Sequence, residues 1–166
     1  WNVELISGPN SIRAQAGRFE DRVTIVYADR TGGGLFAVNA GGHYGYLDEA
    51  HVYWEPDRAY TPGSWGYVGG KPSRTHHRIF GTNEDALYQA VREGMDRYRF
   101  DVPDGVYEVT LGFVEPATDP RVFSVAVNGT TMMTDLELYT ATQRSVITEA
   151  RSGTGIRIEF TATSGD

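Results

Sequence analysis

Residues 41–78 concentrate the side chains of this chain that could bind a ligand. The segment is rich in glycine, contains three prolines and has weak periodicity, so it predicts long loops rather than regular strands. Its aromatic residues are Tyr44, Tyr46, Tyr53, Trp54, Tyr60, Trp65 and Tyr67. Aromatic rings offer large, flat apolar surfaces, and long irregular stretches in compact domains are usually functional. We therefore expect these loops to form a binding surface at the rim of the fold.

Other reactive residue types are sparse or lack a pattern. The chain has no cysteine and four histidines, which argues against a thiol nucleophile or a transition-metal site. A structural Ca²⁺ ion needs only oxygen ligands and stays open, although no loop has regular acidic spacing. With 22 acidic residues, some pair will reach the ~5–9.5 Å separation used for glycoside hydrolysis by chance. No pair lies in a catalytic motif, so we expect no catalysis.

The charge and hydropathy of the chain argue against two classes of partner. Its formal net charge is -7 and Lys71 is its only lysine, so the surface would repel a phosphate backbone. No apolar stretch approaches the ~20 residues that span a bilayer. We therefore expect neither nucleic acid binding nor membrane insertion.

The strongest structural signal is a period of two. Polar and apolar residues alternate in this way over residues 23–27, 98–102, 107–113, 123–127 and 156–160. This pattern is typical of half-buried antiparallel strands. The dipeptides Asp104-Gly105 and Asn128-Gly129 lie between such segments, and each predicts a tight hairpin turn. The chain is therefore predicted to be all-β.

One short helix is predicted after residue 81. Thr82 or Asn83 would cap it, Glu84 and Asp85 would favour the dipole of its first turn, and Gly94 would end it after two or three turns. The residues expected to face the core are Leu87, Tyr88 and Val91.

A glycine-rich junction at residues 31–34 divides the chain. Residues 1–30 are expected to hold three short strands, too few for an independent core. We therefore interpret residues 1–30 as the tail of a preceding domain or as accessory strands, and residues 31–166 as one domain. The chain begins without Met or a signal-peptide pattern, and we expect it to be a fragment of a longer protein.

A series of short motifs runs in order between residues 38 and 138. They are Val38-Asn39-Ala40-Gly41-Gly42, Tyr46-Leu47-Asp48, Trp54-Glu55-Pro56-Asp57, Tyr67-Val68-Gly69-Gly70, Leu87-Tyr88-Gln89, Gly105-Val106-Tyr107, Leu111-Gly112-Phe113-Val114-Glu115 and Val127-Asn128-Gly129. In this order they resemble the malectin-like domains, grouped as carbohydrate-binding module family 57. The resemblance implies an antiparallel β-sandwich of the jelly-roll kind whose loops at one end bind sugar. The strand pattern agrees with that fold.

The resemblance also implies which residues contact sugar. A pyranose has an apolar face of C–H bonds, which a ring can cover, and a rim of hydroxyls, which polar groups can bind. Trp54 and Tyr67 match sugar-contacting aromatic positions of the family, with Tyr98 as a third candidate. The same loops add Trp65, Tyr44 and His43, and the candidate hydroxyl partners are Arg97 and Asp57. Two other interpretations stay open, since Trp54 could be a packing residue and Asp57 could tie loops through backbone amides.

Residues 1–30 resemble the closing strands of the immunoglobulin-like domains in family 2 glycoside hydrolases, which include β-galactosidases and β-glucuronidases. The matching segments are Trp1-Asn2-Val3-Glu4-Leu5, Gly8-Pro9-Asn10, Ile12-Arg13-Ala14 and Asp21-Arg22-Val23-Thr24-Ile25. This resemblance implies that the domain follows a sugar-cleaving enzyme in a longer chain. It also implies a secreted, periplasmic or cell-surface location in a bacterium.

The two resemblances together imply a non-catalytic carbohydrate-binding module, without a cofactor, that targets an attached enzyme to gluco- or galacto-configured glycans during polysaccharide degradation. One alternative is a structural spacer, which would bury Trp54, Trp65 and Tyr67. A binding module would leave such rings partly exposed. The other alternative is a glycan-active enzyme domain, which would place two carboxylates with perturbed pKa values in a cleft.

Overall fold

A computed structural model describes residues 8–16, 19–27, 36–114, 122–137 and 140–164, and its regular structure is almost entirely β. The elements are β1 (Gly8–Ala16), β2 (Phe19–Tyr27), β3 (Val38–Asn39), β4 (Tyr46–Leu47), β5 (Tyr53–Pro56), β6 (Trp65–Arg74), α1 (Asp85–Tyr88), β7 (Ala90–Phe100), β8 (Gly105–Phe113), β9 (Val122–Val127), β10 (Thr130–Glu137), β11 (Thr142–Ala150) and β12 (Ile156–Ser164). The predicted all-β fold with one short helix is confirmed.

The strands form two principal sheets and two small ones. The largest sheet has five antiparallel strands in the order β10-β9-β12-β7-β6, and a second sheet pairs β8 with β11. A three-stranded sheet has the order β3-β5-β4, in which β3 and β5 run parallel. β1 and β2 form a separate antiparallel hairpin.

The core lies between the five-stranded sheet and the β8–β11 sheet. Val125, Val127 and Ile158 on the larger sheet are at most 3% exposed, and Val109 and Leu111 of β8 pack against their cluster. Each of these strands buries alternate residues because side chains on a strand point to opposite faces. The predicted antiparallel β-sandwich is therefore confirmed.

One of the two predicted hairpin turns is confirmed and the other is wrong. Asn128 and Gly129 have φ values of 49° and 78° and join β9 to β10, which pair with each other. Asp104 and Gly105 instead connect β7 to β8, which lie in different sheets. The Asp104 carboxylate accepts hydrogen bonds from two backbone N–H groups of the loop at residues 151–155, so this aspartate ties two loops together.

The helix is shorter than predicted. α1 is one turn. Val91 and Gly94, expected within or at the end of the helix, lie in β7, where Val91 pairs with Ser73 of β6. Pairing of two long strands overrides a weak local helix preference here. Tyr88 is buried, as predicted.

The segment expected to be long loops contains a ten-residue strand, so the prediction was wrong for β6. The pairing of β6 with β7 shifts register between Val68 and Gly69. Gly69 and Gly70 adopt φ values of 76° and 72°. A bulge of this kind breaks the period of two, which hides the strand in the sequence.

The amino-terminal segment holds two described strands, β1 and β2, where three were expected. The remainder of residues 1–30 and the predicted junction at residues 31–34 lie outside the described residues.

Candidate functional site

Two tyrosines near the small β3-β5-β4 sheet are exposed to solvent. Tyr53 is the first residue of β5, and Tyr44 lies in the loop between β3 and β4. Tyr44 is 77% exposed and Tyr53 is 49% exposed. Leu47 lies opposite Tyr53 in the β4–β5 ladder, and Tyr46 lies opposite Trp54. Because directly opposed residues share a face, Tyr53 and Leu47 point outward together. We call Tyr44, Leu47 and Tyr53 the tyrosine face.

Gly45 brings the two tyrosines together. A Cβ atom at Gly45 would lie 1.9 Å from the Tyr53 hydroxyl oxygen, so glycine lets this side chain lie against the backbone next to Tyr44. The Tyr44 carbonyl accepts a hydrogen bond of 3.2 Å from Asn39 Nδ2, and Asn39 is buried. The loop that carries Tyr44 is therefore held in place by a buried side chain.

Two carboxylates fix the opposite side of this small sheet. Asp48 accepts hydrogen bonds from Trp54 Nε1 at 2.9 Å and from the backbone N–H of Val52 at 2.8 Å. Glu84, just before α1, accepts one of 2.5 Å from the Tyr46 hydroxyl and one of 2.9 Å from the Glu49 N–H. We call the contacts of Glu84 the Glu84 clasp. It joins β4 to the residues that precede α1.

The Glu84 clasp raises the pKa of Tyr46 to about 12 through its hydrogen bond, with burial and neighbouring negative charges adding to the effect. Since the pKa in the folded chain lies above the ordinary tyrosine value of 10.0, this contact stabilises the fold below pH 10. That stabilisation is lost as the pH rises from 10 to about 12.

We expect the free energy of unfolding to fall more steeply over this pH range in the native chain than in Tyr46→Phe. Urea unfolding at a series of pH values checks this. Tyr60 and Tyr98, whose pKa values are also raised, remain in both proteins, so the difference reports Tyr46. Parallel pH profiles would contradict the clasp.

Asp57 is a buried structural carboxylate. Its side chain is 2% exposed and pairs with Arg92 Nε at 2.6 Å. It also accepts hydrogen bonds from the Tyr98 hydroxyl at 2.9 Å, the Gly41 N–H at 2.7 Å and the Arg58 N–H at 3.0 Å. Burial and this carboxylate raise the pKa of Tyr98. Protein groups occupy both oxygens of Asp57, so we leave it out of the site as a hydroxyl partner.

Three of the predicted aromatic contacts lie beneath the surface or are covered. Trp65 and Tyr98 are 3% and 7% exposed, and the Trp65 ring stacks on Phe100 with centroids 6.0 Å apart. The half-buried Tyr67 carries the Arg92 guanidinium 3.2 Å above its ring centre. These rings pack the interior, and we leave Trp65 and Tyr98 out of the candidate site.

The other predicted residues divide between two surfaces. His43 is exposed beside Tyr44 and therefore borders the tyrosine face. Arg97 lies opposite Val68 in the β6–β7 ladder, one residue from the buried Tyr98. Since neighbours alternate faces, Arg97 lies on the outer face of the five-stranded sheet. The structure does not bring it together with the tyrosines.

Sequence reasoning did not select Tyr53 and Leu47. Tyr53 and Trp54 are adjacent on β5, so only one of the two rings can point to a given face. The resemblance favoured Trp54, whose indole N–H is bound by Asp48 and which is half-buried. The alternation of side chains along a strand shows that Tyr53 and Trp54 point to opposite faces, but it does not show which of the two faces solvent.

The described residues contain no group of three or more His, Cys, Asp or Glu side chains that could hold a metal ion. The calcium site therefore stays a prediction. Within the same part of the chain, no helix is long and apolar enough to cross a membrane.

The comparisons with known proteins identify the family. A model of the malectin domain matches residues 34–160. The chain belongs to the malectin domain family. This malectin domain is similar to Malectin-B and Malectin-A of Xenopus laevis, at 27% and 28% identity over 111 residues. The aligned region is 63% of this chain and 39% of each Xenopus protein.

Two solved structures of larger enzymes contain a part that resembles this malectin domain. The β-glucuronidase of Bacteroides uniformis matches with a TM-score of 0.77 and 28% identity, over 92% of this chain and 20% of that one. A calcium-binding mutant of Bacteroides uniformis β-glucuronidase 2 matches with a TM-score of 0.78 and 26% identity, over 99% of this chain and 22% of that one. The chain thus spans about a fifth of each enzyme.

Proposed function

We propose that this malectin domain is a non-catalytic carbohydrate-binding module that holds an attached glycoside hydrolase on gluco- or galacto-configured glycans. The tyrosine face is the observation that carries the proposal. Its two exposed rings match the apolar face of a pyranose. Family membership supports the same function.

The anchoring of the tyrosine face favours binding. Asn39 holds the Tyr44 loop, Asp48 holds Trp54, and Glu84 holds Tyr46. Rings on a fixed scaffold lose little conformational freedom when a ligand binds, which lowers the entropic cost of association.

The carboxylates near this surface support a binding role rather than catalysis. Asp48 and Glu84 accept hydrogen bonds from structural donors on the underside of the small sheet.

Asp101, away from this surface, also lacks the protonation of a catalytic acid. Burial acts to raise its pKa, but hydrogen bonds from Tyr60, Gly63 and Arg99 outweigh that effect and lower the pKa. A general acid for glycoside hydrolysis needs a raised pKa instead.

The module would act within a longer protein. Its similarity to one fifth of each β-glucuronidase supports an attached catalytic domain, with residues 1–30 closing an immunoglobulin-like domain and residues 31–166 forming the module. Weak, reversible binding would raise the effective concentration of that enzyme at its glycan. We propose a secreted, periplasmic or cell-surface location in a bacterium.

The spacer alternative also has an observation in its favour. Trp65 is buried and Tyr67 is covered by Arg92, as expected of rings that only pack. Since Tyr44 and Tyr53 remain exposed, a binding measurement separates the two functions.

We expect titration calorimetry of the chain to show saturable binding to at least one member of a panel of α- and β-linked gluco- and galacto-oligosaccharides. The control is Ile147→Ala, which changes a 64% exposed residue on β11 and should bind equally. Absence of heat across the panel, for a chain with a folded circular dichroism spectrum, would sink the binding proposal in favour of the spacer.

A further inference from the structure

The outer face of the five-stranded sheet carries three neighbouring arginines. Arg99 of β7 lies directly opposite Arg157 of β12, and Arg97 precedes Arg99 by two residues. Since residues two apart on a strand point to the same face, the three arginines share the face opposite to that of the buried Tyr98. Directly opposed residues of antiparallel strands have Cβ atoms about 4.5–5.5 Å apart. The register therefore places Arg99 and Arg157 side by side. We call Arg97, Arg99 and Arg157 the arginine face.

Each of the two opposed arginines is paired with a carboxylate on its own strand. Arg99 Nε lies 3.0 Å from Asp101 Oδ1, and Arg157 Nε lies 3.1 Å from Glu159 Oε1. Both arginine side chains remain partly exposed. A guanidinium has five N–H donors, and each pair uses the Nε atom. The terminal nitrogens of both groups therefore have donors for a further acceptor.

The bordering strand β6 adds no charge to this face. Gly66 lies opposite Arg99 and has no side chain, and Val68 lies opposite Arg97 and is apolar. Arg97 forms no ion pair with any residue that the structure describes. Three cations thus share the face with two carboxylates, in a chain whose net charge is -7. Like charges directly opposite each other destabilise a sheet, so an anion bound between Arg99 and Arg157 would offset their repulsion.

The Arg99 guanidinium is held in place before any ligand binds. Its carbon lies 4.9 Å from the ring centre of Tyr60, and the Tyr60 hydroxyl donates a hydrogen bond of 2.8 Å to Asp101 Oδ2. The Gly63 N–H donates one of 2.7 Å to the same oxygen. A ring and a carboxylate, themselves joined, therefore orient Arg99, which lowers the entropic cost of binding an anion.

We propose that the arginine face is a second binding site, which takes a sugar that bears a carboxylate, such as a hexuronate. The planar fork of a guanidinium matches a carboxylate and can bind both of its oxygens. The choice of a sugar acid among carboxylates rests on the proposed carbohydrate-binding function. The arginine face lies apart from the tyrosine face, so acidic and neutral sugars bind at separate places on the chain.

The test is an NMR titration of the chain, at constant ionic strength, with glucuronate and galacturonate, each compared with neutral glucose and galactose. We expect the better acid to bind about 30-fold more tightly than its neutral counterpart, from two partly exposed charged contacts of about fivefold each. The largest shifts should be those of the amides at residues 97–99 and 157–159. Arg97→Gln and Arg157→Gln should each weaken binding of the acid about fivefold.

Arg151→Gln is the matched control. It removes an equal charge from the loop after β11, where Arg151 pairs with Glu149, and it should bind the acid as the native chain does. Native affinity in both Arg97→Gln and Arg157→Gln, or acid-induced shifts that avoid the arginine face, would overturn the site. Acetate that bound as tightly as the sugar acid would overturn the assignment to a sugar.

Neutral oligosaccharides keep this proposal separable from the proposed function. Their affinity should be the same in the native chain and in Arg97→Gln, because the tyrosine face contains no arginine. If neutral oligosaccharides bind and neither acid does, the arginine face fails and the carbohydrate-binding function stands.

Discussion

Replacing Asp57 by alanine is expected to lower the free energy of unfolding by about 3–5 kcal/mol, the usual cost of removing one partner of a buried ion pair. Arg92 is 5% exposed at its side chain and would keep its charge without its counter-ion. The Tyr98 hydroxyl and the Gly41 N–H would also lose their acceptor. Urea unfolding of the native and Asp57→Ala chains measures the difference.

Two further variants provide smaller expected losses of stability for comparison. Tyr98→Phe removes one hydrogen bond to Asp57 and should cost about 1–3 kcal/mol, because the carboxylate keeps its other donors. Glu149→Ala removes the exposed Arg151 pair, and exposed pairs contribute little, so its effect should be much smaller. If Asp57→Ala cost no more than Glu149→Ala, Asp57 would not be the structural centre described above.

Replacing either tyrosine of the tyrosine face by alanine is expected to weaken oligosaccharide binding by roughly 30-fold, or about 2 kcal/mol, as for a central aromatic contact. Tyr44 and Tyr53 are exposed, so truncation removes little packing and should leave the free energy of unfolding nearly unchanged. Calorimetric titration with the oligosaccharide that binds best, paired with urea unfolding, separates affinity from stability.

Tyr53→Phe is the matched control for this prediction. It keeps the ring and removes only the hydroxyl that lies against Gly45, so most of the affinity should remain. Native affinity in both Tyr44→Ala and Tyr53→Ala would exclude the tyrosine face as the sugar site. Binding that fell only together with stability would indicate a packing role instead.

The sequence predicted the strands that alternate cleanly, because half-burial leaves a period of two. β8 and β9 were found in this way, and the Asn128-Gly129 turn was found from its dipeptide. β6 was missed because a bulge and two left-handed glycines break the alternation. The predicted length of α1 was wrong because the residues that follow its single turn belong to β7, whose pairing with β6 no local pattern encodes.

The site was predicted in part for similar reasons. The sequence placed the aromatic residues in one segment and included Tyr44, but solvent exposure depends on which side of β5 faces the core. It therefore could not choose between Tyr53 and Trp54. Asp57 was open to two interpretations, and Arg92, which decides between them, lies 35 residues away in the chain.

The most direct test of the central claim is to map binding on the molecule with ¹⁵N–¹H NMR spectra of the chain during titration with the best oligosaccharide of the panel. We predict that shifted amides cluster at residues 43–54, around the tyrosine face. Shifts centred instead on Arg97 and its neighbours, on the outer face of the five-stranded sheet, would contradict the site. An unchanged spectrum would contradict the binding function itself.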